Sequence, residues 1–250
     1  MKDEQTSEAL TPASLQRHLR SAVFGHRIFY YPTIGSTNDR ALDLATAGEP
    51  EGALVLAEDQ TGGRGRRQRT WESRASLGIY VSLVLRPGVP AIQAPLFTFT
   101  AAVAVADALR ETCHLPGGIK WPNDVVVGRR KVAGILGETR GSEPRIREMV
   151  IGIGVNVNHS VCADRAPILA SILEGFERRY ARVLAGKPAD LLREWEALSA
   201  LPRGRRVAVE GPHGRCEGTV AGVDDEGALL LDTPGGGTTR VPFGEIVEAL

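Results

Sequence analysis

The sequence predicts an α+β protein: a mixed β-sheet with packed helices, followed by a small all-β unit of the SH3-like barrel kind. Three observations carry that expectation. Short apolar runs of strand character, at 53–57, 78–85 and 147–158, alternate with helical patterns. One of those patterns, 95–111, is the most apolar helix of the chain and rich in alanine, which suits close packing against a sheet. After Leu201-Pro202-Arg203-Gly204 the rest of the chain reads as short strands and turns.

Residues 1–8 are polar and acidic and are expected to be disordered. Residues 13–22 predict a short amphipathic helix with Leu15 and Leu19 on one side. Arg27 to Tyr31 predicts a strand that ends at Pro32. Ser36, with Asp39 three residues on, predicts the capping-box start of a helix reaching about Ala47. The strand at 53–57 runs into Glu58-Asp59-Gln60, and that at 78–85 stops before Pro87. Segments 119–127 and 131–138 predict two strands joined by a tight turn at 128–130, a β-hairpin. Pro122 has no N–H for a ladder, so it belongs at an edge or a bulge. In the strand at 147–158, Gly152 and Gly154 allow a ligand or another backbone to come close. Helices follow at 166–185 and 188–199, the second with Leu191, Leu192 and Trp195 on one face. The tail holds strands starting near Arg206, Cys216, Ala228 and Thr239, with a hairpin turn at Asp224-Asp225-Glu226-Gly227. Three units are therefore expected: an extension at 1–26, a main domain at 27–202 and a β domain at 203–250.

The totals restrict the function classes. Thirty Lys and Arg against thirty Asp and Glu give no net charge, which argues against a general nucleic-acid binder. The three cysteines are scattered without a C-x-x-C, and no H-E-x-x-H occurs. That argues against a disulfide scaffold and a structural zinc, and suits a reducing cytosol. Met1 to Leu10 is unlike a signal peptide, and no unbroken apolar run reaches membrane-spanning length. A cytoplasmic protein with neither DNA nor membrane as partner is expected, and the segment ahead of the main domain is too short for a helix-turn-helix unit.

Against that neutral background, Gly62-Gly63-Arg64-Gly65-Arg66-Arg67-Gln68-Arg69-Thr70-Trp71 stands out. Glycines bring backbone N–H groups close to a ligand, and guanidinium groups suit phosphate and carboxylate oxygens. Lying between two strands, the run reads as a mobile anion-binding lid held by a rigid sheet; a solvated basic loop is the plainer alternative. Other polar clusters have plainer meanings when taken singly. Ser36-Thr37-Asn38 is an ordinary helix cap, Lys120, Asn123 and Asp124 are turn residues, and Lys131 is a solvated strand end.

Taken together, these stretches resemble the biotin–protein ligase family. Ser36-Thr37-Asn38, Gln60, Gly63-Arg64-Gly65-Arg66-Arg67, Trp71, Lys120-Trp121-Pro122-Asn123-Asp124 and Arg130-Lys131-Val132-Ala133-Gly134-Ile135-Leu136 occur in the family's order and at roughly its spacings. The resemblance covers about 27–160, and the small β domain fits it too. It implies a class II synthetase-like ligase core and a two-step reaction. Biotin's carboxylate attacks the α-phosphate of ATP to give biotinyl-5'-AMP; a lysine on a biotin carboxyl carrier domain of a carboxylase then takes the acyl group. It places Ser36, Thr37, Asn38, Gln60, Gly63, Arg64, Gly65, Arg66, Lys131, Gly134 and Leu136 on biotin. Arg66 closes over the adenylate, and Arg66, Arg67, Arg69, Trp71, Lys120, Asn123 and Asn156 lie on the nucleotide side. Lys131, with Arg66 and Lys120, takes the catalytic electrostatic role. Magnesium is implied with ATP, and Asp124 is the candidate that meets it. The family commonly has glycine where Gln68 stands, so the loop's shape after Arg67 is expected to differ. The same resemblance leaves monomer or homodimer open, and a lipoate–protein ligase is the nearest rival.

Overall fold

The structure, a computed structural model, describes residues 9–141, 143–157, 164–211 and 214–249. The expectation for 1–8 lies outside these, as do Asn158 and Cys162. A seven-stranded sheet forms the main body. Its strands are β1 (Ile28–Ile34), β2 (Leu54–Gln60), β3 (Gly78–Leu85), β4 (Gly117–Lys120), β5 (Asp124–Val127), β6 (Arg130–Thr139) and β7 (Met149–Asn156), in the spatial order β1-β2-β3-β7-β6-β5-β4. Only β1 and β2 pair in parallel; every other neighbour is antiparallel, so the sheet is mixed as expected.

Period-two alternation divides the sheet into two unlike faces. Leu54, Leu56, Ile79, Val81, Leu83 and Leu85 enter the larger core. There α3 (Ala94–Cys113), α4 (Arg165–Leu184) and α5 (Pro188–Ala197) cover them. With the turn before it, α3 is long and apolar enough to cross a membrane, which the run lengths did not suggest. Two thirds of it is buried here, as the central helix of this core. On the opposite face Val55, Val84 and Val150 meet Ala41, Leu42, Leu44 and Ala45 of α2 (Thr37–Thr46) in a smaller cluster. This second cluster covers only part of its face. The uncovered remainder, beyond the N-terminal end of α2, becomes the site.

Several expectations are corrected. The first helix, α1, spans only Pro12–Gln16. Beyond it the backbone N–H groups of Ala22, Val23 and Phe24 donate to the Glu177 carboxylate, which takes them out of helical bonding. Strand β1 continues through Pro32, because it is a sheet edge where a missing N–H goes unnoticed. Ser36 caps α2 by accepting from the Asp39 N–H at 3.4 Å, but the reciprocal half of a capping box is missing: the Asp39 carboxylate turns to Arg64 instead. The expected hairpin is three strands. Trp121-Pro122-Asn123, with a cis peptide before the proline, separates β4 from β5, and a register shift follows at Val125/Val126.

The tail forms a five-stranded antiparallel sheet of β8 (Arg206–Gly211), β9 (Gly214–Val223), β10 (Leu229–Asp232), β11 (Thr238–Val241) and β12 (Glu245–Ala249), in the order β11-β10-β9-β8-β12. The last strand was not foreseen. This sheet touches the main body where the buried Trp121 indole N–H donates to the Gly227 carbonyl at 3.2 Å.

Candidate active site

The floor of the cleft follows from strand register. Opposite one another on β3, β7 and β6 stand Ser82, Gly152 and Leu136, and in the next row Tyr80, Gly154 and Gly134. Three glycines and one serine thus replace the valines that pack under α2 further along. The space they leave is filled from above by two side chains. A Cβ on Gly152 would overlap Asn38 Oδ1, and one on Gly154 would lie 2.6 Å from the Trp71 ring. On Gly134 it would meet the same ring at 2.9 Å. Trp71 therefore lies flat on two glycines, its indole N–H shielded and without a partner among the described residues.

At the α2 end the polar groups are linked to one another. Gln60 Oε1 accepts from the Thr37 N–H at 2.8 Å and from its hydroxyl at 3.0 Å, and Gln60 Nε2 donates to Ser73 Oγ at 2.9 Å. Ser82, fully buried, lies 2.8 Å from the Thr37 hydroxyl and 2.6 Å from Asn38 Oδ1. Asn38 Nδ2 donates to Glu138 Oε2 at 2.7 Å and to the Leu136 carbonyl at 3.3 Å. Every one of these groups has its orientation dictated by a neighbour.

The arginine run closes over this floor as a narrow finger. Its base is pinned by Trp71 N–H to Gly63 O at 2.9 Å and by a bridge between Arg64 and Thr70. At its tip, Arg66–Gln68 make one tight turn with Arg67 at φ 54°. The left-handed residue is thus Arg67, one position before the Gln68 that was expected to alter the loop. The four arginines then divide. Arg64 forks onto Glu138 with both bonds at 2.9 Å and reaches Asp39 at 2.6 Å. Arg67 and Arg69 point to the C-terminal sheet, Arg67 to Glu210 at 3.2 Å and Arg69 to Glu245 at 2.8 Å. Arg66 alone turns inward, giving one hydrogen bond to Asn123 Oδ1 at 3.1 Å. Among the described residues no carboxylate lies within ion-pair distance of it. Burial first, and the neighbouring Arg67 second, depress its pKa below the ordinary arginine value.

Across from Arg66, Asn123 is held in turn by β6. Its Nδ2 donates to the Ile135 carbonyl at 2.8 Å, and its own carbonyl accepts from the Ile135 N–H at 3.0 Å. Lys131 Nζ lies 2.7 Å from Asp124 Oδ1 and 5.4 Å from the Trp71 ring centre. Lys120 ends β4 in register with Asp124, with no ion-pair partner among the described residues.

A model of the biotin/lipoate A/B protein ligase family matches residues 30–156. One of the biotin protein ligase C-terminal domain matches residues 204–247. The chain belongs to the biotin/lipoate A/B protein ligase family. The bifunctional ligase/repressor BirA of Bacillus subtilis (strain 168) is 36% identical over 244 residues, covering 90% of this chain and 75% of that protein. The biotin–[acetyl-CoA-carboxylase] ligase of Mycobacterium tuberculosis is 31% identical, covering 96% of this chain and 98% of its own. The biotin protein ligase of Aquifex aeolicus, solved in complex with biotin and ATP, superposes with a TM-score of 0.74 at 25% identity, covering 90% of this chain and 100% of that one.

Most of the residues singled out from the ligase resemblance meet in this one cleft. Ser36, Thr37, Asn38, Gln60, Arg64, Gly65, Arg66, Arg67, Arg69, Trp71, Lys120, Asn123, Asp124, Lys131, Gly134 and Leu136 line it. Two do not. Gly63 lies under the finger's base, where a Cβ would meet the Trp71 carbonyl at 2.5 Å. Asn156 opens into an adjoining cleft on the far side of Trp71, with Glu72, Arg74 and Tyr80. Ser82, Ser73, Glu138, Glu210 and Glu245 were missed. Ser82 did leave a signal, as the one polar residue inside an apolar strand.

Proposed function

We propose that this chain is a biotin–protein ligase working in two steps at this cleft, with residues 27–202 as its catalytic domain and 203–250 as its β domain. Biotin's carboxylate attacks the α-phosphorus of ATP. A phosphorus–oxygen bond forms and pyrophosphate leaves. A lysine amine of a biotin carboxyl carrier domain then attacks the acyl carbon of biotinyl-5'-AMP, the amide forms and AMP leaves. One observation carries the reading: four motifs separated by up to a hundred residues converge on a single cleft, with the linked polar groups at one end and the inward cations at the other.

The chemistry accounts for the residue types. In the first step two anions must come together, so charge building on the phosphorus and the leaving group has to be met by fixed cations. Arg66 and Lys120 are suited to this because neither has an ion-pair partner among the described residues. Lys131 is claimed by Asp124, but that pair is half exposed, and such pairs contribute only ~0–1 kcal/mol. An aligned donor to a developing oxyanion contributes about 3–4 kcal/mol, so a phosphate outbids the carboxylate. The linked groups around Thr37, Asn38 and Gln60 suit a neutral polar ring and a carboxylate tail. The finger shelters the mixed anhydride from water.

The donor set suits magnesium only as a passenger of the nucleotide. Among the described residues no group of three or more His, Cys, Asp or Glu side chains forms a metal cluster, and Asp124 stands in the cleft as the carboxylate nearest Lys131. One carboxylate plus phosphate oxygens is an ordinary magnesium arrangement. The ion would supply charge neutralisation on the phosphates, with Asp124 as its protein contact. The cytosol, which supplies ATP and carboxylase acceptors, is the proposed compartment.

Incubation of the purified chain with biotin, ATP and magnesium plus a biotin carboxyl carrier domain tests the reading. The carrier must gain the mass of one biotinyl group at one lysine. Loading of lipoate instead, or no loading, overturns it.

A further inference from the structure

Glu138 was not singled out by the sequence, and the catalytic scheme above does not use it. Its carboxylate nevertheless touches both parts of the small-acid half of the cleft. Oε2 accepts from Asn38 Nδ2 at 2.7 Å and from Arg64 Nη2 at 2.9 Å, while Oε1 accepts from Arg64 Nη1 at 2.9 Å. It stands on β6, two residues beyond Leu136, opposite Val150 and on the same face as the glycine floor.

We propose that Glu138 is a positioning residue for the acid-binding half of the site, acting through Asn38 and Arg64. Its role rests on the ligase reading and extends it. An ionised carboxylate only accepts hydrogen bonds, so it dictates which end of the Asn38 amide faces it. That leaves Asn38 Oδ1 against Ser82 and the bare backbone of Gly152. The same carboxylate takes the Arg64 fork, and the Arg64 backbone bridges Thr70 at the base of the finger. One side chain thereby sets both the direction of a pocket amide and the depth at which the loop sits. Asp39 does not share this role: it is 59% exposed, meets Arg64 through one oxygen, and among the described residues its carboxylate takes no hydrogen bond from the Asn38 amide. Nor is the fork a major support of the fold. Arg64 and Glu138 are 39% and 23% exposed, and partly solvated pairs add little to stability. Its consequence therefore falls on binding.

The test compares the unmodified chain with Glu138→Gln, Arg64→Met and the double variant, following biotin-dependent pyrophosphate exchange at varied biotin and varied ATP. A glutamine at 138 can offer either end to Asn38 and breaks the charged fork. KM for biotin is expected to rise about tenfold, the equivalent of one misdirected, part-buried hydrogen bond to a charged group. KM for ATP stays within about twofold, and the melting temperature within ~3 °C. The double variant should show a smaller biotin effect than the product of the single ones, because both act through one fork. The assignment is overturned by an unaltered biotin KM, by parallel rises for biotin and ATP, or by multiplicative effects. If Glu138→Gln does not fold, Arg64→Met alone must still raise the biotin KM without the ATP KM. Absence of exchange in the unmodified chain defeats the ligase reading itself, whereas normal exchange with an unmoved Glu138→Gln defeats only this role.

Discussion

The two halves of the cleft are built on opposite principles. At the α2 end Thr37, Asn38, Gln60, Ser82 and Glu138 bond to one another, and each is oriented before a ligand arrives. At the β4–β5 end Arg66 and Lys120 have no ion-pair partner among the described residues, and Lys131 has only the partly exposed Asp124. The first half is a template, costing little reorganisation when a neutral polar ring enters. The second half gathers positive charge that the carboxylates around it offset only in part. Such a surface is tolerable while water reaches it and becomes strongly attractive to an anion once a ligand displaces that water. A site that must join a small acid to a triphosphate needs both. Selection of the acid belongs to the template, and lowering of the barrier belongs to the charge.

The sharpest way to break this comparison is to remove charge from the second half alone. Lys131→Ala is expected to slow adenylate formation by about 10²–10³-fold, the usual penalty for losing one oxyanion donor. The melting temperature should move by no more than ~3 °C, since an exposed ion pair contributes at most about 1 kcal/mol. Pyrophosphate exchange with a parallel melt measures both, and unchanged exchange removes the catalytic assignment. Arg66→Gly should act on retention. Without the inward guanidinium, biotinyl-adenylate should escape at least about tenfold faster and acylate lysines nearby without selection. Mass spectrometry of the products reads this directly; an adenylate held as firmly as before shows that the finger does not cover it.

The first half is broken by shape. Gly152→Ala puts a methyl group where Asn38 Oδ1 lies, and Asn38 is itself held by Ser82 and Glu138. Overpacking of that kind costs about 1–3 kcal/mol, so the protein should melt several degrees lower. Biotin affinity should weaken more than ATP affinity, because Asn38 moves and the cations do not. Equal weakening of both, by calorimetry or kinetics, erases the distinction between the two halves.

How much of this was legible in the sequence differs between the halves for a physical reason. The second half announces itself, since arginine, lysine and glycine in one neutral chain are conspicuous whatever the fold. The first half depends on register. Gly134, Gly152 and Gly154 were visible as glycines, but only strand pairing places them with Ser82 on one face. Glu138 became meaningful only when β6 set it beneath α2. The main strands and α3 were readable from their apolar runs, α2 from its Ser36 cap, and the all-β tail from its short strands and turns. The split of β4 from β5 was not, because an interruption by Trp121-Pro122-Asn123 has the same local signature as a bulge in one long strand. Nor was β12, a five-residue strand at the end of the chain, recognised, and with it went the Glu245 that receives Arg69.

That missed strand supplies the mildest test. Arg67 meets Glu210 through both the carboxylate and the backbone carbonyl, and lies 3.6 Å from Glu245; Arg69 meets Glu245 alone. These contacts draw two arginines toward the C-terminal sheet and leave Arg66 as the one of the four without a carboxylate partner among the described residues. Glu245→Gln should release Arg69 entirely but Arg67 only in part, since the Glu210 carbonyl remains. Arg69 is 67% exposed, so the loss is at most the ~0.2–1 kcal/mol of a surface pair, an effect on adenylate retention of no more than about fivefold. Being electrostatic and solvated, it should shrink as salt shortens the screening length from about 10 Å at 0.1 M toward about 3 Å at 1 M. Adenylate escape followed across that salt range distinguishes the sources of closure. If the unmodified chain and Glu245→Gln converge at high salt, surface ion pairs to the C-terminal sheet share in holding the finger; if they differ equally at every salt, Glu245 acts through packing and the outward arginines are bystanders.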